Sequence, residues 1–226
     1  MIRGLLVDLD DTLYDYEPCE ARGRGAVREC AKKRFSWSDA QFEERWREAR
    51  AKVKARFHGP SAHHRLLYMV ELLGAEGSES LSVAREWERS YWSAYLEGSA
   101  LRNGARELLD ACRGHGMKIA IVTDLVLEVQ LWKLAHFGLF SLIDALVVSE
   151  EVGHDKPHRA PFELAAARMG VALDDCVVVG DNEKTDGDGA KACAIPFFHV
   201  RTPQASGGLT LDEILSELRK MNRWND

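Results

Sequence analysis

The chain predicts an α/β fold, a parallel sheet core carrying an all-helical insertion after its first strand. Runs that are apolar throughout (Leu5-Leu6-Val7, Ile119-Ala120-Ile121-Val122, Ala145-Leu146-Val147-Val148 and Val177-Val178-Val179) alternate with helical patterns. That alternation marks strands buried on both faces of a parallel sheet. The first run lies before residue 15 and the others lie after residue 101. The intervening stretch of about eighty residues has no strand pattern and is far too long for a structureless loop. The core is therefore assigned to residues 1–15 and 101–226, the helical domain to 16–100, and the hinges to 15–18 and 98–101.

In the first segment, Ile2 and residues 5–7 form a short buried strand that breaks into Asp8, Asp10 and Asp11. Three carboxylates at the mouth of a buried strand repel one another. Either an Asp-rich turn or a site for a cation or phosphate accounts for them.

The insertion follows. Ser38 with Gln41 makes a capping box that starts a helix running to about Phe57, and His58-Gly59-Pro60 breaks it. Leu66, Val70 and Leu73 stripe the next helix, which Gly74 and Gly77 end. Ala84, Trp87, Tyr91 and Tyr95 share a face of another, which stops near Gly98. Trp37, Trp46, Trp87 and Trp92 all fall here and read as the core of this helical domain.

Beyond residue 101, Ala105, Leu108, Leu109 and Cys112 make an amphipathic helix closed by Gly114 and Gly116. A strand then ends at Thr123-Asp124, and a helix runs to about His136. After the Ala145 strand, Phe162, Ala165, Ala166 and Met169 stripe a helix. The Val177 strand closes on Gly180-Asp181, a short helix lies near Ala190, and residues 196–200 form an edge strand. Thr210 and Glu213 cap the last helix, with Leu211, Ile214, Leu215 and Leu218 on its apolar face.

Bulk properties narrow the function. A length of 226 residues, 46% hydrophobic and 29% charged, suits a globular protein with a sizeable core. A net charge of −6 and a pI near 5.8 argue against a nucleic-acid or anionic-membrane binder. A small anionic substrate is compatible where a metal ion reverses the local field. Cys19, Cys30, Cys112, Cys176 and Cys193 are odd in number and scattered, which points to reduced thiols in a cytoplasmic protein. The N-terminal apolar run is too short for a signal peptide, and no stretch reaches the length of a membrane span.

Ligands of an open parallel sheet sit outside the carboxyl ends of its strands. Polar residues collect at those ends: Asp8 and Asp10 after the first strand, Thr123 after the second, Lys156 in His154-Asp155-Lys156-Pro157, and Asp181 with Asp186 and Asp188. Phosphoryl transfer through an aspartyl phosphate needs such a set. The attacking carboxylate must be ionised, so a cation and a lysine have to neutralise the incoming phosphate. Mg²⁺ takes one or two carboxylates and keeps its waters. A second acid two residues on can protonate the leaving oxygen and then activate water, for which a raised pKa is expected.

The series Asp8-Leu9-Asp10-Asp11-Thr12-Leu13, then Thr123, Lys156-Pro157 and Gly180-Asp181 with Asp186, resembles the haloacid dehalogenase superfamily. It is similar to that family's phosphatases with a helical cap inserted after the first motif. The resemblance implies a Rossmann-like sheet and a Mg²⁺-dependent phosphatase of small phosphorylated metabolites, such as sugar phosphates or nucleoside monophosphates. It implies Asp8 as nucleophile and metal ligand, and Asp10 as general acid/base that also lends its backbone carbonyl to the metal. Thr123 and Lys156 hold the phosphoryl oxygens, while Asp181 and Asp186 bind Mg²⁺. Asp11 reads as a turn carboxylate. Asp188 keeps two readings, because Gly187 stands where the family usually has an aliphatic residue. Asp124 stands where Asn or Gly is frequent, which implies an altered substrate preference.

A phosphomutase shares the same core and is the nearest alternative. A 2-haloacid dehalogenase needs no metal and lacks the second acid of the first motif, and a catalytically silent module is expected to have lost a motif acid. Substrate choice is assigned to the cap. Arg22, Arg24 and Arg28 lie on its first helix, either to meet a substrate anion or as a solvated basic face. His63, His64 and Arg65 open another helix, and Tyr14 follows the first motif. The partners expected are a small phosphate monoester and, at most, a second copy of the chain.

Overall fold

The computed structural model describes residues 1–75, 77–203 and 207–224. The chain divides into two compact units, one made of Met1–Asp15 with Ala100–Asp226 and the other of Tyr16–Ser99.

The first unit opens with β1 (Gly4–Val7), whose four residues are all buried. The chain then enters the second unit through α1 (Tyr16–Phe35), α2 (Asp39–Arg56), α3 (Arg65–Leu73) and α4 (Ser78–Leu96). Both bonds of the Ser38–Gln41 capping box form at the start of α2. Gly74 takes the left-handed conformation at the end of α3, where glycine meets no Cβ penalty. A side chain at Gly23 would meet the Tyr91 ring at 2.9 Å, so glycine there lets α1 lie close to α4. Phe42, Trp46, Tyr68, Met69, Trp87, Tyr91, Trp92 and Tyr95 are buried, and Trp46 stacks on Tyr91 with ring centroids 6.2 Å apart. The tryptophans thus largely build the interior of the helical unit, with Trp37 half-buried against Phe35.

Back in the first unit come α5 (Ala105–Gly114), β2 (Lys118–Thr123), α6 (Leu127–Phe137), β3 (Ala145–Val148), α7 (Ser149–Val152) and α8 (Arg159–Met169). They are followed by β4 (Cys176–Gly180), α9 (Asp188–Cys193), β5 (Phe197–His199) and α10 (Leu211–Asn222). Among the described residues five strands form one parallel sheet in the order β3-β2-β1-β4-β5. On one face, Leu6, Ala120, Val122, Val147 and Val178 pack against Phe162, Ala165, Ala166 and Met169 of α8 and Ala190 and Cys193 of α9. Strand side chains alternate, so Leu5 and Val7 point to the other face. There α5 packs on β2 and α10 on α5, burying Leu108, Leu109, Cys112, Ile214 and Leu218. This is the Rossmann-like α/β sandwich that the apolar runs and helical stripes predict.

The strand order reverses beside β1: β2 and β3 build to one side of it and β4 and β5 to the other. The carboxyl ends of β1 and β4 therefore flank the crevice where such sheets bind ligands. The register pairs Val7 with Val179, so Asp8 and Gly180-Asp181 leave the sheet side by side.

Candidate active site

Asp8 continues β1, its backbone N–H still donating to the Val179 carbonyl at 2.9 Å. Its carboxylate is buried. Lys156 brings its ammonium to 2.6 Å from Asp8 Oδ1 and to 2.6 Å from Asp186 Oδ1. The buried Thr12 hydroxyl lies 2.9 Å from Asp8 Oδ2 and 3.1 Å from Asp181 Oδ1. Asp186 also accepts from the Asn182 backbone N–H at 3.2 Å. One ligand oxygen from each of Asp8, Asp181 and Asp186 lies within 4.8 Å of the others.

Asp186 reaches this point because residues Glu183–Gly187 form a single π-helical turn after β4. Such turns recur at functional sites. A side chain at Gly180 would overlap the Asp186 carboxylate, so glycine is what admits it. Asp188, the first residue of α9, is exposed and lies outside this cluster.

The charges explain what the cluster can hold. Burial, with the Asp186 and Asp181 carboxylates nearby, pushes the Asp8 carboxyl well above its usual range, while Lys156 pulls it down. Asp181 is pushed up to about 6 by burial and by Asp186. Burial opposes the charge on Lys156, but Asp186, Asp8 and Asp124 outweigh it and drive its pKa well up. A single Thr12 proton cannot serve two carboxylates at once. Three carboxylates and one ammonium leave an excess of buried negative charge, and oxygen donors of this kind fit a hard divalent cation. With such an ion present, Asp8 and Asp181 would ionise.

Asp10 faces a different set of groups. Lys133 Nζ lies 2.6 Å from its Oδ1, the Tyr14 hydroxyl donates to the same oxygen, and Gln130 Nε2 lies 3.1 Å from Oδ2. Its pKa is lowered: burial raises it, but Lys133 above all, then Tyr14 and Gln130, outweigh burial. This corrects the expected raised value, because the ammonium stabilises the ionised form more than burial penalises it. Gln130 Nε2 also donates to Thr123 Oγ1 at 2.7 Å and to the Asp124 carbonyl at 3.0 Å. Asp124 accepts from the Lys156 backbone N–H at 3.1 Å, and its carboxyl is raised, mainly by burial. Leu125, next in the loop, has φ +133°, a conformation strained for a branched side chain.

The sequence does not single out Thr12, Gln130 or Lys133. A signal for the last two exists. Val129, Leu134 and Phe137 set a buried helical stripe, and Gln130 and Lys133 occupy stripe positions where Leu would be ordinary.

The substrate-specificity candidates are scattered. Tyr14 is fully buried beside Asp10. Arg24 pairs with Glu43 at 2.9 Å, and Arg28 lies 3.8 Å from Asp39 and 3.9 Å from Glu43, so both join α1 to α2. Arg65 is buried among the rings of Tyr68, Tyr91 and Trp92, donating to Tyr91, Tyr16 and the His63 carbonyl. His64 precedes α3 without a side-chain capping bond. The five cysteines are all free, and no helix among the described residues is long and apolar enough to cross a membrane.

Known proteins match this arrangement. Residues 2–194 fit the family model described as haloacid dehalogenase-like hydrolase. A ribulose-1,5-bisphosphate 5-phosphatase of Halopiger xanaduensis is 36% identical over 198 residues, covering 86% of this chain and 83% of that protein. A glyceraldehyde 3-phosphate phosphatase of Methanopyrus kandleri is 29% identical over 207 residues, covering 89% of this chain and 84% of that one. The crystal structure of a 2-haloacid dehalogenase from Pseudomonas syringae superposes with a TM-score of 0.76 at 20% identity, over 98% of this chain and 100% of that one, a likeness of fold. With its acids at the carboxyl ends of β1 and β4 and a family match that spans most of its length, the chain belongs to the haloacid dehalogenase-like hydrolases.

Proposed function

We propose that the protein is a Mg²⁺-dependent phosphatase that hydrolyses a small phosphate monoester through an aspartyl phosphate on Asp8. The observation that carries this reading is the Lys156 ammonium 2.6 Å from both Asp8 and Asp186, with Asp181 completing a set of three acids. A lysine against the nucleophile and a cation held by three acids are what a phosphate dianion needs in order to approach a carboxylate. Asp8, Asp181 and Asp186 would hold Mg²⁺, which when bound supplies charge neutralisation for the phosphoryl oxygens. Lys156 and the Thr123 hydroxyl would bind those oxygens as well.

In the first half of the reaction an Asp8 oxygen bonds to phosphorus, the ester P–O bond breaks, and the leaving oxygen takes a proton from the Asp10 carboxyl. In the second half the Asp10 carboxylate takes a proton from water. The water oxygen bonds to phosphorus, the P–O bond to Asp8 breaks, and inorganic phosphate leaves. With Lys133 at 2.6 Å, the ionised form of Asp10, which the second half uses, is favoured over the protonated one. Protonating it for the first half requires that contact to loosen.

The relatives named as phosphatases of ribulose-1,5-bisphosphate and glyceraldehyde 3-phosphate support a phosphorylated sugar as the substrate class. The helical unit, residues 16–99, is proposed as the cap that selects it. A Mg²⁺-dependent phosphate-release screen over sugar phosphates, nucleoside monophosphates and phosphoserine tests the reading. Release above background from at least one ester supports it, and no release from any member counts against it.

A further inference from the structure

Gln130 and Lys133 stand three residues apart on α6, on the stripe that buries Val129, Leu134 and Phe137. Gln130 is 0% exposed and Lys133 1%. Folding alone would place apolar side chains at both positions, because a buried amide and a buried ammonium each lose water without gaining apolar contact. The Gln130 amide leaves its Oε1 without a hydrogen-bond partner. Rotating the amide would set that oxygen against the Asp10 carboxylate and the Asp124 carbonyl, so its NH₂ must face them. The side chain thus gives up one acceptor to keep its two N–H donors among three acceptors, Asp10 Oδ2 at 3.1 Å, Thr123 Oγ1 at 2.7 Å and Asp124 O at 3.0 Å.

One nitrogen therefore ties the carboxylate after β1 to the hydroxyl at the end of β2. Lys133 fixes the other oxygen of that carboxylate at 2.6 Å. We propose that Gln130 and Lys133 are positioning residues for the second half of the reaction. They hold the Asp10 carboxylate beside the Thr123 hydroxyl, so that the group taking the proton from water stands in register with the group holding the phosphoryl oxygen. Each acts through Asp10 or Thr123, the side chains it contacts. The inference rests on the phosphatase reading above.

Rapid-quench kinetics with p-nitrophenyl phosphate and Mg²⁺ separate the two halves. Lys133→Met and Gln130→Leu are expected to release p-nitrophenol in a burst of about one equivalent per folded protein. A steady state about 10²-fold or more slower than wild type follows, in the range lost when a general base is misplaced. Lys133→Arg, which keeps charge and donors, is expected to recover at least tenfold of the Lys133→Met loss, and Gln130→Leu to need more substrate than Lys133→Met for a half-maximal burst rate because it frees Thr123. A structural role alone would shrink burst and steady state together; that result, or a steady state within threefold of wild type, overturns the inference. Asp8→Asn serves as the control. If wild type releases no more phosphate than Asp8→Asn, the phosphatase reading itself falls, and this inference with it.

Discussion

The Lys156 ammonium lies 2.6 Å from Asp8 Oδ1, with both side chains buried. Asp186 shares the same ammonium, so one cation offsets two carboxylates at the carboxyl ends of neighbouring strands. Removing it should expose the imbalance.

Lys156→Met is expected to lower stability at pH 7 by about 3–5 kcal/mol, the usual penalty for stripping the partner from a buried charge. Without the ammonium, which pulls the Asp8 carboxyl down, burial and the neighbouring acids push that carboxyl further toward its protonated form, so the deficit should shrink at pH 5. Urea melts at the two pH values check this. An equal deficit at both would mean that Lys156 contributes packing and not charge.

Cation binding should depend on pH in a direction fixed by Asp181, whose carboxyl is pushed up to about 6. A carboxyl with a raised folded pKa favours folding below its ordinary value near 3.8, and that contribution is lost as pH rises through about 6. Metal-free protein carries this loss. A bound cation removes it, because the ligand must be ionised. The rise in Tm on adding millimolar Mg²⁺ is therefore expected to be larger at pH 7 than at pH 5, and an increment independent of pH would contradict the assignment of Asp181 as a ligand.

Gly180→Ala is expected to weaken Mg²⁺ binding by about 10–100-fold, as displaced supporting groups do in metal sites. Any Cβ there overlaps the Asp186 carboxylate, which Lys156 and the Asn182 N–H otherwise hold in place. Calorimetric titration gives the affinity directly. Wild-type affinity in the variant would show that Asp186 can move aside without loss.

Much of the architecture is legible in the sequence for physical reasons. The buried runs of β1, β2 and β4 are apolar throughout, and the Ser38–Gln41 and Thr210–Glu213 boxes mark helix starts by their own hydrogen bonds. Asp8, Lys156, Asp181 and Asp186 can be picked out because carboxylates and an ammonium at strand ends oppose folding unless something uses them. The environment of Asp10 is not legible, since Lys133 lies 123 positions away and reads as one more helix lysine. For the same reason the raised pKa that an acid/base role calls for is not what the surroundings of Asp10 give, since Lys133 outweighs burial and lowers it. The π turn at Glu183–Gly187 is hidden too, because it depends on Gly180 admitting Asp186.

The loop after β2 stores strain at Leu125, with φ +133° and its N–H held by Ser149 Oγ at 3.1 Å. A non-glycine residue in such a region is strained by about 1–3 kcal/mol. Leu125→Gly is therefore expected to be more stable than Leu125→Ala by about 1 kcal/mol, the reverse of the order in ordinary loops. Denaturant melts of the two variants decide it, and an alanine variant as stable as the glycine one would remove the strain.

The most direct test of the central claim is phosphate release by wild type and Asp8→Asn, with and without Mg²⁺, on the best ester found by the screen. Wild-type turnover should require the metal, and Asp8→Asn should lose at least about 10³-fold while remaining folded. Release by Asp8→Asn at a rate close to wild type would contradict an aspartyl phosphate on Asp8.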